Sequence, residues 1–421
     1  MSTTLIRNIN YFGQTGDLLL KDSLLEAFFP GGSDISADVA FAGNNCMAIP
    51  SLIDAHVHFR EPGHEYKEEI STGLRAAIGG GFGHVLNMAN TSPVNDNAAV
   101  TRFMLDKSLG SCPKGPRLHP VGALTKNLAG QELAPMAELA DAGCVAFSND
   151  GQPVSNAAVF RRAVEYAADL QRLVIDHCED PDLSADSCMN EGRVSSKLGL
   201  PGSPIVAESL QVARDILLAQ YLDIPIHLAH ISCRQSVEMI DWAKKKSIPV
   251  SAETCPHYLF LEQDAIGDYN TLAKVNPPLR TEDDVLALRQ AVRTGTIDII
   301  TSDHAPHADF EKDQPFSSAP FGISGLDTSF SLIFSLCNDN FTIQDILRLC
   351  LRRPAEIYNL EYSTLEIGQP ADFFLFDPAK RWIVAPESML SRGKNSPWLG
   401  QQLTGRVLYH FIGGELVFSR E

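Results

Sequence analysis

The chain has 421 residues, 44% of them hydrophobic and 20% charged, with a formal net charge of −18. This is ordinary globular composition with material for a large core, and so acidic a surface argues against nucleic acid and anionic membrane as partners. An anionic substrate would need a local positive centre, from metal ions or an arginine.

Nine cysteines, an odd number without CxxC spacing, read as reduced thiols of a cytoplasmic protein. Cys178, Cys233 and Cys255 fall near candidate site residues and read as buried small hydrophobes behind them. The first residues, 1–7, lack the basic-then-apolar pattern of a leader, and no stretch is long and apolar enough to span a bilayer.

Residues 1–49 are rich in β-formers and turns, too few for a comfortable core of their own. From residue 50 to about 360, short apolar runs alternate with helical patterns. The runs 51–58, 83–89, 118–124, 144–148, 173–178, 224–231, 249–255 and 297–302 predict eight strands. Apolar residues recurring at three and four predict helices over 68–79, 155–171, 207–221 and 283–293. Eight βα units point to an α/β (β/α)8 TIM-like barrel over 50–361, and their number weighs against a doubly wound open sheet. Residues 187–204, with five Gly or Pro and little periodicity, predict a long loop over the barrel mouth. Residues 362–421 return to β-formers and turns. With 1–49 they predict one composite β-sandwich domain.

The first barrel run carries the most informative string, Asp54-Ala55-His56-Val57-His58-Phe59-Arg60-Glu61-Pro62-Gly63. The two-residue period of a strand puts His56 and His58 on one face, where both can grip one metal ion. Arg60 is a natural clamp for an anion. An HxH pair alone is a weak signal, since many buried pairs are hydrogen-bonded core residues. Here Asn90, Asp150, His177, His230 and Asp303 also fall at or just past the C-terminal ends of predicted strands, where barrel enzymes put their chemistry.

Imidazole and carboxylate suit Zn²⁺ and similar metals. One arrangement uses all six candidates: His56, His58 and Asp303 hold a first ion, His177 and His230 a second, and Asp150 bridges them. Bound water becomes acidic enough to supply hydroxide at neutral pH. Asp303 can take its proton and pass it to a leaving nitrogen. His307, further along the same loop, can reach a substrate. His227 and His304 read as supports behind the ligands. His64, His84, His119, His257 and His410 read as structural or solvated.

These residues resemble the dihydroorotases of the amidohydrolase superfamily, in their class I bacterial form. The resemblance covers nearly the whole chain. It includes 53–63, Met88-Ala89-Asn90-Thr91-Ser92-Pro93, 146–151, Asp176-His177, 191–195, 228–232, 275–280, 302–307, Gly393-Lys394-Asn395-Ser396-Pro397 and 405–407. It implies reversible hydrolysis of (S)-dihydroorotate to N-carbamoyl-L-aspartate in pyrimidine biosynthesis, with one or two Zn²⁺ per chain and a binuclear site favoured. The substrate carboxylate would meet Arg60, Asn90 and His307. Asn276 would make a further contact, and backbone at Phe321 and Gly322 would touch the ring. A homodimer and a complex with aspartate transcarbamoylase are partner arrangements compatible with the resemblance.

Two departures bear on the alternatives. Hydantoinases and allantoinases bridge their metals with a carboxylated lysine, but residues 145–150 contain no Lys and Asp150 stands there instead. Asn149 replaces an Asp common beside the bridge, and an amide bridges poorly, which leaves that role to Asp150. Allantoinase or dihydropyrimidinase is the rival enzymatic reading, set against by the carboxylate-binding trio. A non-catalytic partner of aspartate transcarbamoylase is the other, set against by the filled ligand positions.

Overall fold

The computed structural model describes residues 2–420. Eight strands follow one another in sheet order, Leu52–Val57, Phe82–Asn87, Arg117–Ala123, Ala146–Ser148, Leu173–Asp176, Ile226–Leu228, Val250–Thr254 and Ile299–Ile300. Every neighbouring pair is parallel. The last and first strands meet where Val57 bridges His304 and the His58 N–H donates to the His304 carbonyl at 2.8 Å. The sheet therefore closes into a barrel, and the open doubly wound sheet is excluded.

All eight predicted strands are present, most of them shorter than expected at the C-terminal end. The backbone leaves the ladder there to form the site: His230 and Asp303, two residues that the runs 224–231 and 297–302 would have carried to or beside a strand end, adopt φ of +33° and +44°.

The helices form where the apolar spacing places them. Ile70–Gly79 buries Ile70, Leu74, Ala77 and Ile78 on one face. Ala157–Asp169 begins at Asn156, whose side chain accepts from the Ala158 and Val159 N–H groups. This satisfies donors left unpaired at a helix start. Ile205–Leu222 and Glu282–Thr294 cover the expected spans with a residue or two added.

Residues 187–204 are not a structureless loop. They hold a helix, Arg193–Leu198, between two-residue strands Met189–Asn190 and Gly202–Ser203 that pair in parallel. The glycines that read as breakers bound this helix: Gly192 precedes it and Gly199, at φ +66°, ends it. Six residues are too few for periodicity to reveal. Arg280 Nη1 ties the segment down, donating to Asn190 Oδ1 at 2.8 Å and to the Ser203 carbonyl at 3.2 Å.

The chain ends build a second, mostly antiparallel sheet. Met47–Pro50 pairs with Phe373–Ile383 and so joins the N-terminal strands to the C-terminal ones. Alternation sorts the aromatic run Phe373–Phe376 between two faces. Phe373 and Leu375 pack with Ile6, Leu18 and Phe411. Phe374 and Phe376 turn the other way and meet Phe330 edge-on, with ring centroids 4.9 and 4.8 Å apart. Among the described residues no helix is long and apolar enough to cross a membrane.

Candidate active site

The strand ends bring the six expected ligands together. Asp150 lies at the centre. Its Oδ1 is 3.2 Å from His230 Nε2, 3.3 Å from His177 Nδ1 and 3.4 Å from His56 Nε2, and its Oδ2 is 3.4 Å from His58 Nε2. Asp303 Oδ1 is 3.2 Å from His58 Nε2 and 3.8 Å from His56 Nε2. Donor atoms of His56, His58 and Asp303 cluster within 4.8 Å of one another, as do those of His56, Asp150 and His230. His177 joins the set through Asp150. All six side chains are buried.

These residues fit a metal ion. Glu253 accepts from His56 Nδ1 at 2.6 Å, which fixes the ring so that Nε2 presents its lone pair to the cluster. That Nε2, and Nδ1 of His230, are buried without a hydrogen-bond partner among the described residues. Burial opposes charge on His56, yet the Asp150 and Glu253 carboxylates outweigh it and hold the imidazole pKa well above its usual value. Burial likewise raises Asp150, and the rings of His56, His177 and His230 outweigh it and hold the acid well below the carboxylate range. The centre draws positive charge, and its nitrogen and oxygen donors suit zinc and its neighbours. His230 and Asp303, at left-handed φ values that cost ordinary residues energy, are held there by the surrounding fold.

A cavity of about 210 Å³ opens on this cluster. His58, Asp150, His177, His230 and Asp303 form one side, and Arg60, Asn90, Asn276, His307, Phe321 and Gly322 also line it. His56 lies behind. All six expected substrate contacts therefore share one wall system with the ligands. Arg60 Nε donates to the Pro306 carbonyl at 3.3 Å. Asn90 Oδ1 accepts from His58 Nδ1 at 2.8 Å and so also orients a ligand. His307 Nε2 donates to the Phe321 carbonyl at 2.7 Å, and its backbone N–H is held by Asn395 Oδ1 at 2.8 Å. Gly322 has φ of +141°, and a Cβ there would lie 2.6 Å from the Ala305 carbonyl oxygen. The position tolerates only glycine.

Of the two histidines read as supports, His227 Nε2 donates to Glu253 Oε2 at 3.1 Å and so stands behind His56, whereas the His304 ring meets Glu68 at 3.2 Å and accepts from the Gly325 N–H at 3.1 Å, bonding no ligand among the described residues. Asn149 points away, bonding Thr125 and the Leu128 and Gln152 carbonyls, so Asp150 alone of the two faces the ligands. His257 is buried, and with Cys255 and Asp303 it forms a further ligand-like group. Sequence reasoning missed Glu253, Glu179 and Asn395. Glu253 had a signal, a carboxylate inside the barrel run 249–255. Glu179, two residues after His177, accepts from His177 Nε2 at 3.0 Å and Asn276 Nδ2 at 2.9 Å. Asn395 lies far along the chain in the returning C-terminal segment; the string 393–397 forms part of the resemblance, but no role in the site is read for this residue.

Comparison with known proteins agrees with this geometry. Residues 46–236 match the family model described as Dihydro-orotase-like. A dihydroorotase of Desulforapulum autotrophicum is 44% identical over 417 residues, 98% of this chain and 96% of that one. The chain belongs to the dihydroorotase family. A dihydroorotase of Desulfotalea psychrophila is 46% identical over 373 residues, 88% of each chain. Among solved structures, the L-hydantoinase (dihydropyrimidinase) of Arthrobacter aurescens superposes with a TM-score of 0.86, covering 100% of this chain and 96% of its own at 20% identity. At that identity the likeness is one of fold. Two of the strings that carried the dihydroorotase resemblance, 53–63 and 302–307, lie side by side in space, where Val57 bridges His304.

Proposed function

We infer that the protein is a dihydroorotase, a metal-dependent cyclic amidohydrolase that interconverts (S)-dihydroorotate and N-carbamoyl-L-aspartate. One observation carries the reading of the site. Arg60 lines the same small cavity as the ligand cluster, and the one hydrogen bond of its guanidinium among the described residues uses Nε, which leaves the Nη groups for a substrate carboxylate. A guanidinium fork matches a carboxylate in geometry and charge. Identity above 40% to dihydroorotases over nearly the full chain supports the same substrate.

The metal would be held by His56, His58, Asp150, His177, His230 and Asp303. We favour zinc, two ions per chain, for which Asp150 would be the shared ligand. Bound ions of this kind acidify water and polarise a carbonyl oxygen. The chain's own groups do the rest. Arg60, Asn90 and His307 orient the substrate carboxylate, and Asn276 with backbone at Phe321 and Gly322 seats the ring. Asp303, within reach of His58 Nε2 at 3.2 Å, takes the proton of the attacking water on a carboxylate oxygen. It then returns that proton to the ring nitrogen as the amide C–N bond breaks. In the ring-closing direction the same carboxylate removes the proton from that nitrogen.

This reading places the reaction in pyrimidine biosynthesis in the cytoplasm. It divides the chain into a barrel over 50–361 and a composite β unit of 1–49 and 362–421, a division supported by the two separate sheets. A homodimer and a complex with aspartate transcarbamoylase are its two assembly proposals, and mass measurement of the protein alone and mixed with a transcarbamoylase tests both. The deciding experiment for function is a dihydroorotate hydrolysis assay with metal analysis on the same sample. Turnover of dihydroorotate well above that of dihydrouracil, with bound zinc, is expected. Equal turnover of both rings would favour a hydantoinase-like enzyme.

A further inference from the structure

A second cavity, of about 500 Å³, lies where helix Ile70–Gly79 meets strands Gln402–Ile412 and Glu415–Ser419. It shares no lining residue with the cavity at the ligand cluster. Three arginines line it, Arg75, Arg406 and Arg420. Nε of Arg406 and Nη2 of Arg420 are buried without a hydrogen-bond partner among the described residues. Buried polar groups are ordinarily paired, and buried charges almost always are.

Asp327 lends its negative charge to both Arg406 and Arg420, but it is one carboxylate beside three cations, and its oxygens are engaged by backbone N–H groups, Leu390 at 2.8 Å and Ser391 at 3.1 Å. Glu387 lines the cavity but is exposed. Arg406 donates through Nη2 to the Ser388 carbonyl at 3.3 Å and lies 4.3 Å from the Trp382 ring centroid. Those contacts hold it in place without neutralising it. Burial and the neighbouring Arg420 push the Arg406 pKa down to about 10 against the support of Asp327, the response of cations that outnumber the carboxylates beside them. The concentration of positive charge stands out in a chain of net charge −18. Guanidinium groups recognise phosphate through paired N–H donors, and the volume is within the range of small-molecule sites, roughly 300–1,000 Å³.

We propose that this cavity is a binding site for a small phosphorylated anion, held by Arg75, Arg406 and Arg420. The test is calorimetric titration of the full metal-loaded protein with pyrophosphate, and separately with citrate, at fixed ionic strength. Pyrophosphate should bind at one such site per chain, more tightly than citrate. Arg420→Met and Arg75→Met should each weaken that binding at least about tenfold while dihydroorotate turnover is retained. Arg75 is exposed, so its replacement leaves the fold intact. Chelation of the active-site metal contributes equally to parent and variants, so their difference reads the cavity. Equal binding by parent and both variants overturns the proposal, as does the absence of any difference heat. Citrate binding as tightly as pyrophosphate overturns the assignment to phosphate.

Discussion

The carboxylate of Glu253 stands between two imidazoles, 2.6 Å from Nδ1 of His56 and 3.1 Å from Nε2 of His227. It is wholly buried, and the His56 ring facing the cluster is oriented through it. Partners of this kind typically cost about 10–100-fold in metal affinity or activity when removed. Glu253→Gln should lose that much of both while retaining its circular dichroism spectrum. Unchanged zinc affinity would show that His56 is held by packing alone.

Asp150 tests the shared-ligand assignment. Four imidazole nitrogens lie within 3.4 Å of its oxygens. Asp150→Asn keeps the shape and removes the charge, so it should lose more metal and turnover than Glu253→Gln. Because no lysine is available between 145 and 150, activity should be indifferent to bicarbonate during reconstitution. Normal zinc stoichiometry in Asp150→Asn would sink the bridge.

Arg60 tests specificity. Removing one partner of a buried charge pair typically costs about 2–5 kcal/mol, so Arg60→Met should reduce kcat/KM for dihydroorotate by a factor of about 30 or more. Dihydrouracil, which lacks the carboxylate, should lose far less. Comparable losses on the two substrates would remove Arg60 from carboxylate binding.

Gly322 sits at φ +141° with the Ala305 carbonyl oxygen 2.6 Å, and His307 Cδ2 3.0 Å, from where a Cβ would be. Gly322→Ala should displace the Ala305–His307 segment and raise KM for dihydroorotate, with most metal content preserved because every ligand but Asp303 lies on another strand end. A variant with parental KM would show that the loop yields without moving His307.

His410 tests acid stability. It is buried between Ser51 Oγ at 2.7 Å and the Ile78 carbonyl at 2.8 Å, and burial pushes its pKa down to about 4. An unfolded histidine titrates near 6.5. The unfolded chain therefore binds this proton first as pH falls, and stability present above about pH 6.5 is lost progressively toward pH 4, by up to about 3 kcal/mol. His410→Gln should lower stability at neutral pH yet flatten its fall between those values in urea titrations. A parallel fall in both proteins would assign the acid sensitivity elsewhere.

Much of the site was legible because its chemistry is local in sequence. The two-residue period put His56 and His58 on one face, and strand ends announced Asp150, His177, His230 and Asp303 through the alternation of apolar runs and helices. The same alternation counted eight strands and so the barrel. Periodicity could not see the six-residue helix Arg193–Leu198, which is shorter than two turns. Nor could it tell where each strand stops, because the left-handed backbone at His230 and Asp303 is imposed by contacts across the barrel. Only the closed sheet brings Glu253 to His56, which is distant in the chain, and only the return of the C-terminal segment brings Asn395 to His307, since contacts between distant segments carry no trace in local spacing. Residue types and their period determined which groups could bind a metal and a carboxylate. The closure of the ring determined that Asp150 stands among four imidazoles and that Arg60 faces the same cavity, because only a barrel points the ends of eight separated strands at one place.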